Sequence, residues 1–309
     1  MNIAFVFPGQ RSQYVGMGRD LWDNFADVKA LYDEASGLLG YDVAKISFDG
    51  PPEDLNRTSI TQPCILTASI AAYTVLASKG VKPSVVAGHS LGEYSAVVAA
   101  GVLPFQQAVP TTEKRGRFMQ EAVPVGQGLM AAIIGLPRNI VEDICLNVAS
   151  GYVSPANFNA PRQIVIAGEK QAVQEAMKMA KQAGAKRVFA LAVSAPSHCT
   201  LMVDASERLS KLLDETVFAD PVVPVVNNAD ALFLTNGEKI KSSLIKQMNN
   251  PLLWEDSIRN IADTGINIFI EVGPGRILSG LIKRIEQTAK IYNVENRESL
   301  EKTLTGLGV

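Results

Sequence analysis

Five consecutive residues, Gly88-His89-Ser90-Leu91-Gly92, fit the pattern G-x-S-x-G. Glycines on either side of a serine let the backbone turn sharply from a strand into a helix and present the hydroxyl at the helix N-terminus. The flanks suit that reading, because the apolar run Val85-Val86-Ala87 precedes the motif and an alanine-rich run through Ala100 follows it. The chemistry implied is nucleophilic catalysis, and a serine nucleophile needs a base. The chain contains 2 histidines, His89 and His198. A sharp turn points adjacent side chains apart, so His198, in Ala195-Pro196-Ser197-His198-Cys199, is the candidate base. The plainer alternatives are a structural turn at Ser90 and a capping or core histidine at 198; Cys199 is a second candidate nucleophile, but with no matching thiol motif it is read as a small buried residue.

An ordinary α/β-hydrolase carries an Asp or Glu between its serine and its histidine. Here the carboxylates between 90 and 198 fall on expected helices or in a middle segment of different character, and none closes a strand of the larger pattern. A Ser–His dyad oriented by a neutral group fits better, and the chain also lacks an HGGG-type loop. The first strand ends in Phe7-Pro8-Gly9-Gln10, at the edge where open sheets place their sites. Gln10 is either a solvated turn residue or an oxyanion donor whose backbone N–H acts with that of Leu91. Arg115, on the helix after the nucleophile helix, either faces solvent or turns its fork into the pocket to hold a carboxylate by two parallel bonds.

Short β-rich runs alternating with long helical patterns must position these groups, which is the signature of an α/β fold. Strands are expected at 3–7, 84–87, 224–227 and 266–271, with helices over 20–39, 91–100, 105–122, 201–213, around Leu244 and Ile258, and from Arg276. Thr61 reads as an N-cap with Pro63 in the first turn and Gly80 closing the helix. Pro110 is expected to kink or restart the helix over 105–122. The middle segment reads β (129–134), α (137–148), β (152–156), β (163–167), α (171–182), β (187–192), the split βαβ order of ferredoxin-like domains. The expected architecture is a large α/β subdomain with a parallel sheet, made from 1–125 and 196–309, carrying a small α+β subdomain at 126–195. A cleft between the two is the natural ligand site.

Composition narrows the field. Of 309 residues, 47% are hydrophobic and 19% charged, enough for a large core and inconsistent with disorder. With 29 Lys plus Arg against 31 Asp plus Glu, bulk charge does not point to a nucleic-acid binder. The 3 cysteines, Cys64, Cys145 and Cys199, form no CxxC and imply neither a disulfide framework nor a zinc site. No basic leader and no uninterrupted apolar run of membrane length stand out, so a cytoplasmic protein is expected, with no metal and no cofactor. Glu271-Val272-Gly273-Pro274-Gly275 lacks both GxGxxG and a Walker lysine, so it is not read as a phosphate loop.

Taken together, the segments FPGQ at 7–10, TQP at 61–63, GHSLG at 88–92, RGRFMQEAVP at 115–124, NFNAP at 157–161, PSH at 196–198, Gln247 followed by Asn250-Pro251, and EVGPG at 271–275 resemble the bacterial malonyl-CoA:acyl-carrier-protein transacylases over essentially the whole chain. That resemblance implies a hydrolase-like subdomain with a ferredoxin-like insert. It implies that Ser90 is acylated, that His198 is the base and that a backbone carbonyl at Gln247 orients it. It further implies an oxyanion held at Gln10 and Leu91, a malonyl carboxylate on Arg115, and a coenzyme A or phosphopantetheine arm near Asn157, Asn159 and Arg187. The partners implied are malonyl-CoA, as a substrate, and an acyl carrier protein drawn by basic residues such as Lys186, Arg187, Arg276, Lys283 and Arg284. Competing readings are a stand-alone acyltransferase serving a polyketide synthase, a carboxylesterase needing Ser90 and His198 without Arg115, and a non-catalytic interaction subunit. Two departures stand out: Arg11 replaces the glycine usual beside the oxyanion turn, where a positive φ would strain it, and Pro110 lies just upstream of Arg115.

Overall fold

Strands whose successive residues are all apolar must be covered on both faces, and the first strand meets that condition with every residue buried. The computed structural model describes residues 2–191 and 195–309. Its strands are β1 Ile3–Phe7, β2 Val85–Gly88, β3 Gly128–Ile134, β4 Val153–Ala160, β5 Gln163–Glu169, β6 Arg187–Ala190, β7 Val225–Val226, β8 Phe233–Leu234, β9 Ile268–Val272 and β10 Lys290–Val294. A six-stranded sheet has the order β10-β9-β1-β2-β7-β8, parallel throughout except for the short β7–β8 pair. Alternation sends Phe5 and Phe7 to one face and Ala4 and Val6 to the other, each into its own core. Burial of each phenylalanine contributes about 1.5–3 kcal/mol.

The second sheet is antiparallel, with the order β4-β5-β3-β6. β5 separates β3 from β4, and β3 separates β5 from β6, so each strand–helix–strand unit is split. One face buries Ala131, Ile133, Ile164 and Ile166 beneath the helices Arg138–Leu146 and Lys170–Gln182. The other face, with Met130, Ala132 and Val165, turns towards the large sheet. The mixed α/β architecture is therefore the expected one; of the last expected strand, Ala192 lies outside the described residues.

Three local expectations are corrected. Thr61 does not cap its helix, which starts at Thr58 and runs to Ser78. Instead its hydroxyl donates to the carbonyls of Leu55 and Arg57 inside the first turns. The N-cap is Arg57, whose side chain makes no cap bond, so residue type did not single out the true start, and Pro63 lies inside the helix rather than in its first turn. The expected helix over 20–39 is two, Arg19–Asn24 and Ala26–Leu39, because Phe25 adopts extended backbone (φ −132°, ψ 120°) and packs against the core. Finally, the helix Phe105–Glu121 runs through Pro110 without restarting. Proline there removes only one intrahelical bond, and the helix is clamped against Thr58–Ser78: a Cβ on Gly116 would lie 2.6 Å from the Thr58 carbonyl oxygen. That close approach brings the neighbouring Arg115 inwards. The helix Thr58–Ser78 is long and apolar enough to cross a membrane, but most of it is buried in this core. Strands β8 and β10 and the final helix Arg297–Leu307, capped by Asn296 and Ser299, are additional to the expected elements.

Glu271, at the end of β9, is buried and works as a distant cap. Its carboxylate accepts from the backbone N–H groups of Leu278 (3.0 Å) and Ser279 (2.7 Å) and from the Ser279 hydroxyl (2.7 Å). Glu271→Ala should therefore lower unfolding stability by about 3 kcal/mol, since three donors, one buried and two partly buried, lose their acceptor. Urea unfolding measures this, and an unchanged midpoint would contradict the capping role.

Candidate active site

The turn after β2 is built by close approach. A Cβ on Gly88 would lie 1.9 Å from the Gly92 carbonyl, and one on Gly92 would lie 2.0 Å from the Phe7 carbonyl oxygen, so neither position admits a side chain. Ser90 between them has φ 54°, a left-handed conformation that costs on the order of 1–3 kcal/mol for a residue other than glycine. Several bonds hold it there. Ser90 N–H donates to Asn228 Oδ1 at 2.7 Å, Asn228 Nδ2 donates to the Gly88 carbonyl at 2.7 Å, and Gln247 Nε2 donates to the Ser90 carbonyl at 3.0 Å.

The Ser90 hydroxyl meets His198 Nε2 at 2.8 Å across 108 residues of chain. His198 Nδ1 lies 2.8 Å from the Gln247 carbonyl oxygen. A carbonyl only accepts, so Nδ1 carries the proton and the Nε2 lone pair faces the hydroxyl. Burial first, and the Arg115 charge second, push the His198 imidazole down to about 3, which keeps it neutral near pH 7. Its backbone is also left-handed, at φ 62°, and its N–H donates to the Met248 carbonyl at 3.2 Å. His89 points elsewhere: its Nε2 donates to Asn159 Oδ1 at 2.8 Å and its ring meets Trp254 edge-on.

Arg115 is completely buried beneath this dyad. Nη1 donates to Gln62 Oε1 at 2.7 Å, while Nη2 donates to Gln247 Oε1 at 2.9 Å and reaches Ser90 Oγ at 3.3 Å. Among the described residues no carboxylate lies within ion-pair distance of it. A buried guanidinium that faces a nucleophile without a direct counter-ion is suited to receive an anion carried on that nucleophile.

Gln10, Ser90, Asn157, Asn159 and His198 line one cavity of about 110 Å³, together with Met119 and Met130. The Gln10 side chain is tied to Thr58 Oγ1 (3.3 Å) and Gln62 Nε2 (3.4 Å). Neither the Gln10 nor the Leu91 backbone N–H has a hydrogen-bond acceptor among the described residues. Their turns pack together, since a Cβ on Gly9 would lie 2.2 Å from the His89 carbonyl oxygen. Arg11 has φ 82°, so the strain expected of a side chain there is present. A second cavity of about 290 Å³ continues from Gln10, His89 and Asn159 between the helix Ile277–Ile285 and the antiparallel sheet.

Arg187 is not brought into the dyad's cavity. It is exposed on β6 and stacks over Phe189, which lines the second cavity. Arg284 donates to Gln163 at the same end of that cavity. The other basic residues are dispersed: Arg276 pairs with Glu295 at 3.6 Å, and Lys283 donates to the Gln287 carbonyl.

Gln62, Asn228 and Glu93 belong to the site and were not picked out by residue type. Asn228 closes the short strand β7 beside β2, a position at the carboxyl end of the parallel sheet that marks it in retrospect. Glu93 is the one charged residue of the helix Gly92–Ala99 and is fully buried. Burial pushes its carboxyl up to about 7, against the opposing effects of its bonds to Gln247 and Asn228 and of the Arg115 charge.

Residues 4–303 match the acyl transferase domain family. The malonyl CoA-acyl carrier protein transacylase of Escherichia coli K12 is 51% identical over 289 residues, covering 93% of this chain and 94% of the relative. The Bacillus subtilis protein of the same name is 43% identical over 308 residues, covering 99% and 97%. Among solved structures, an acyl carrier protein S-malonyltransferase from Vibrio cholerae superposes with TM-score 0.96 at 47% identity, over 98% of this chain and 100% of that one. A malonyl-transacylase in complex with its type II PKS acyl-carrier protein superposes with TM-score 0.97, also at 47% identity, over 99% and 100%.

Proposed function

The chain belongs to the acyl transferase family, and from that premise we propose how its residues move a malonyl group from malonyl-CoA to an acyl carrier protein. Ser90 is the nucleophile and His198 the base. As Ser90 Oγ attacks the thioester carbonyl carbon, its proton passes to His198 Nε2, and the Gln247 carbonyl steadies the imidazolium through Nδ1. The N–H groups of Gln10 and Leu91 receive the charge that develops on the carbonyl oxygen. Collapse expels the coenzyme A sulfur, which takes the proton from His198 and leaves a malonyl-serine ester. The carrier's phosphopantetheine thiol then gives its proton to His198, attacks the ester and restores the Ser90 hydroxyl.

Arg115 pairs with the free carboxylate of the bound malonyl group, near enough to Ser90 Oγ for the ester to place that carboxylate on the guanidinium. The pairing has a second effect. Arg115 holds the His198 imidazole down, so an anion on Arg115 relieves that effect and makes the base stronger while substrate is bound. No metal or organic cofactor enters this mechanism. Asn157 and Asn159 border the path of the pantetheine arm, and Arg187 stands at the outer end of the second cavity, where coenzyme A or carrier phosphates would arrive. The reading includes a division into 1–125 with 196–309 and a unit at 126–195, whose cleft is that path. Cytoplasmic fatty acid synthesis is the setting we assign. The relative bound to a type II PKS carrier supports a second setting, polyketide synthesis, with identical chemistry.

The observation that carries the reading is the buried chain Gln247 carbonyl–His198–Ser90 with Arg115 reaching the same hydroxyl. Mixing the protein with malonyl-CoA should leave one malonyl group per chain, on the peptide containing Ser90, by mass spectrometry. Adding acyl carrier protein in its phosphopantetheine form should discharge it onto the carrier. Label on another residue, or an ester the carrier cannot remove, would overturn the assignment.

A further inference from the structure

Glu93 takes no part in the reaction just described, yet it joins both ends of the site. Its Oε2 accepts from Gln247 Nε2 at 2.8 Å and from the Asn228 backbone N–H at 3.0 Å. Asn228 in turn holds Ser90 N–H, and Gln247 meets Arg115 through Oε1, Ser90 through Nε2 and His198 through its carbonyl. The two ends of a glutamine amide are nearly equal in size, so shape alone does not decide which one faces Arg115. The acceptors around it decide it: Glu93 Oε2, which the Asn228 N–H fixes as an acceptor whether or not Oε1 carries a proton, and the Ser90 carbonyl. With Nε2 drawn to Glu93, the amide oxygen must face the guanidinium. If the amide were reversed, its NH₂ would meet Arg115 Nη2, donor against donor, and the fork would lose an acceptor that aims it.

We propose that Glu93 is a positioning residue for acyl selectivity, fixing the Gln247 amide so that Arg115 stays aimed at the carboxylate of a dicarboxylic acyl group. The inference rests on the reading of Arg115 given above. The guanidinium matters for malonyl and has no ionic partner in acetyl. Loss of aim therefore lowers malonyl transfer more than acetyl transfer, and a shift of about 1 Å in a positioning group is able to cost on the order of 10²-fold.

The test is the ratio of kcat/KM for malonyl-CoA to that for acetyl-CoA in the full-length wild type, Glu93→Ala, Glu93→Gln and Arg115→Ala, with thermal midpoints measured alongside. Glu93→Ala should lower the ratio at least about tenfold. Glu93→Gln keeps the side-chain shape and an oxygen acceptor, and should restore most of it. A purely structural Glu93 would lower both substrates in the same proportion, and that result overturns the proposal, as does a Gln variant no better than Ala. Should Glu93→Ala fail to fold, Glu93→Met, of similar size but without an oxygen acceptor, takes its place: a ratio at least about tenfold below that of Glu93→Gln supports acceptor-based aim, and equal ratios in the two variants overturn it. An Arg115→Ala enzyme that keeps the wild-type ratio would instead remove the underlying reading of Arg115. Loss of the ratio there with none in Glu93→Ala removes only the role of Glu93.

Discussion

Ser90→Ala is expected to abolish malonyl transfer, with kcat falling on the order of 10⁴–10⁶-fold and no malonyl adduct formed. The loss should be chemical. Alanine tolerates φ 54° about as well as serine does, and the bonds that fix the turn use the backbone of residue 90, whose N–H meets Asn228 and whose carbonyl meets Gln247. Only the contacts of Oγ disappear, to His198 at 2.8 Å and Arg115 at 3.3 Å. Stability should stay within about 1 kcal/mol of wild type, because the deleted hydroxyl lines a cavity and its loss leaves no new void in the core. Rapid-quench assays of acyl transfer, paired with mass spectrometry and thermal unfolding, separate the two effects. A folded Ser90→Ala enzyme retaining as much as about one hundredth of the wild-type rate would place the nucleophile elsewhere.

The second large effect concerns selectivity. Arg115→Ala should lower kcat/KM for malonyl-CoA by about 10²–10³-fold, the kinetic equivalent of leaving a buried carboxylate without its partner. Acetyl-CoA has no such carboxylate, so its kcat/KM should change far less and the preference between the two should collapse. Alanine also leaves Gln62 and Gln247 without a donor and empties a fully buried volume, so this variant should lose stability too. Arg115→Lys controls for that loss. It retains a charge but offers a point donor in place of a planar fork, and should recover part of the malonyl rate without the full preference. An unaltered malonyl-to-acetyl ratio in both variants would mean that the carboxylate binds at another group. The measurement is steady-state kinetics with both thioesters and a saturating carrier.

Why the two effects are so different in kind follows from the layout. Ser90 is held through its backbone, so its side chain is free to react without bearing structural load. Arg115 is held through its side chain by two glutamines, and the same guanidinium is needed for the substrate. A guanidinium carries five N–H groups and the contacts to Gln62, Gln247 and Ser90 Oγ use three, so loading replaces the Ser90 contact while both glutamines go on aiming the fork.

The amino-acid sequence alone determined the parts of this protein whose causes are local. A glycine–serine–glycine turn between an apolar strand and an alanine-rich helix needs only neighbours to specify it, and with 2 histidines in the chain the candidate base was a short choice. The order of strands and helices in the middle segment likewise follows from periodicity. Tertiary structure decided what depends on groups far apart in the chain. Arg115 faces Ser90, and not solvent, because Gly116 lets its helix close onto the backbone of Thr58, a contact between segments well separated in sequence. The carbonyl that orients His198 belongs to the main chain of Gln247, and every residue has such a group, so side-chain chemistry cannot single it out. Glu93 reads as one more helical acid until the fold buries it against Gln247 and Asn228. Local propensity acts over a few bonds. A buried polar network forms only where distant segments converge and exclude the water that would otherwise satisfy them.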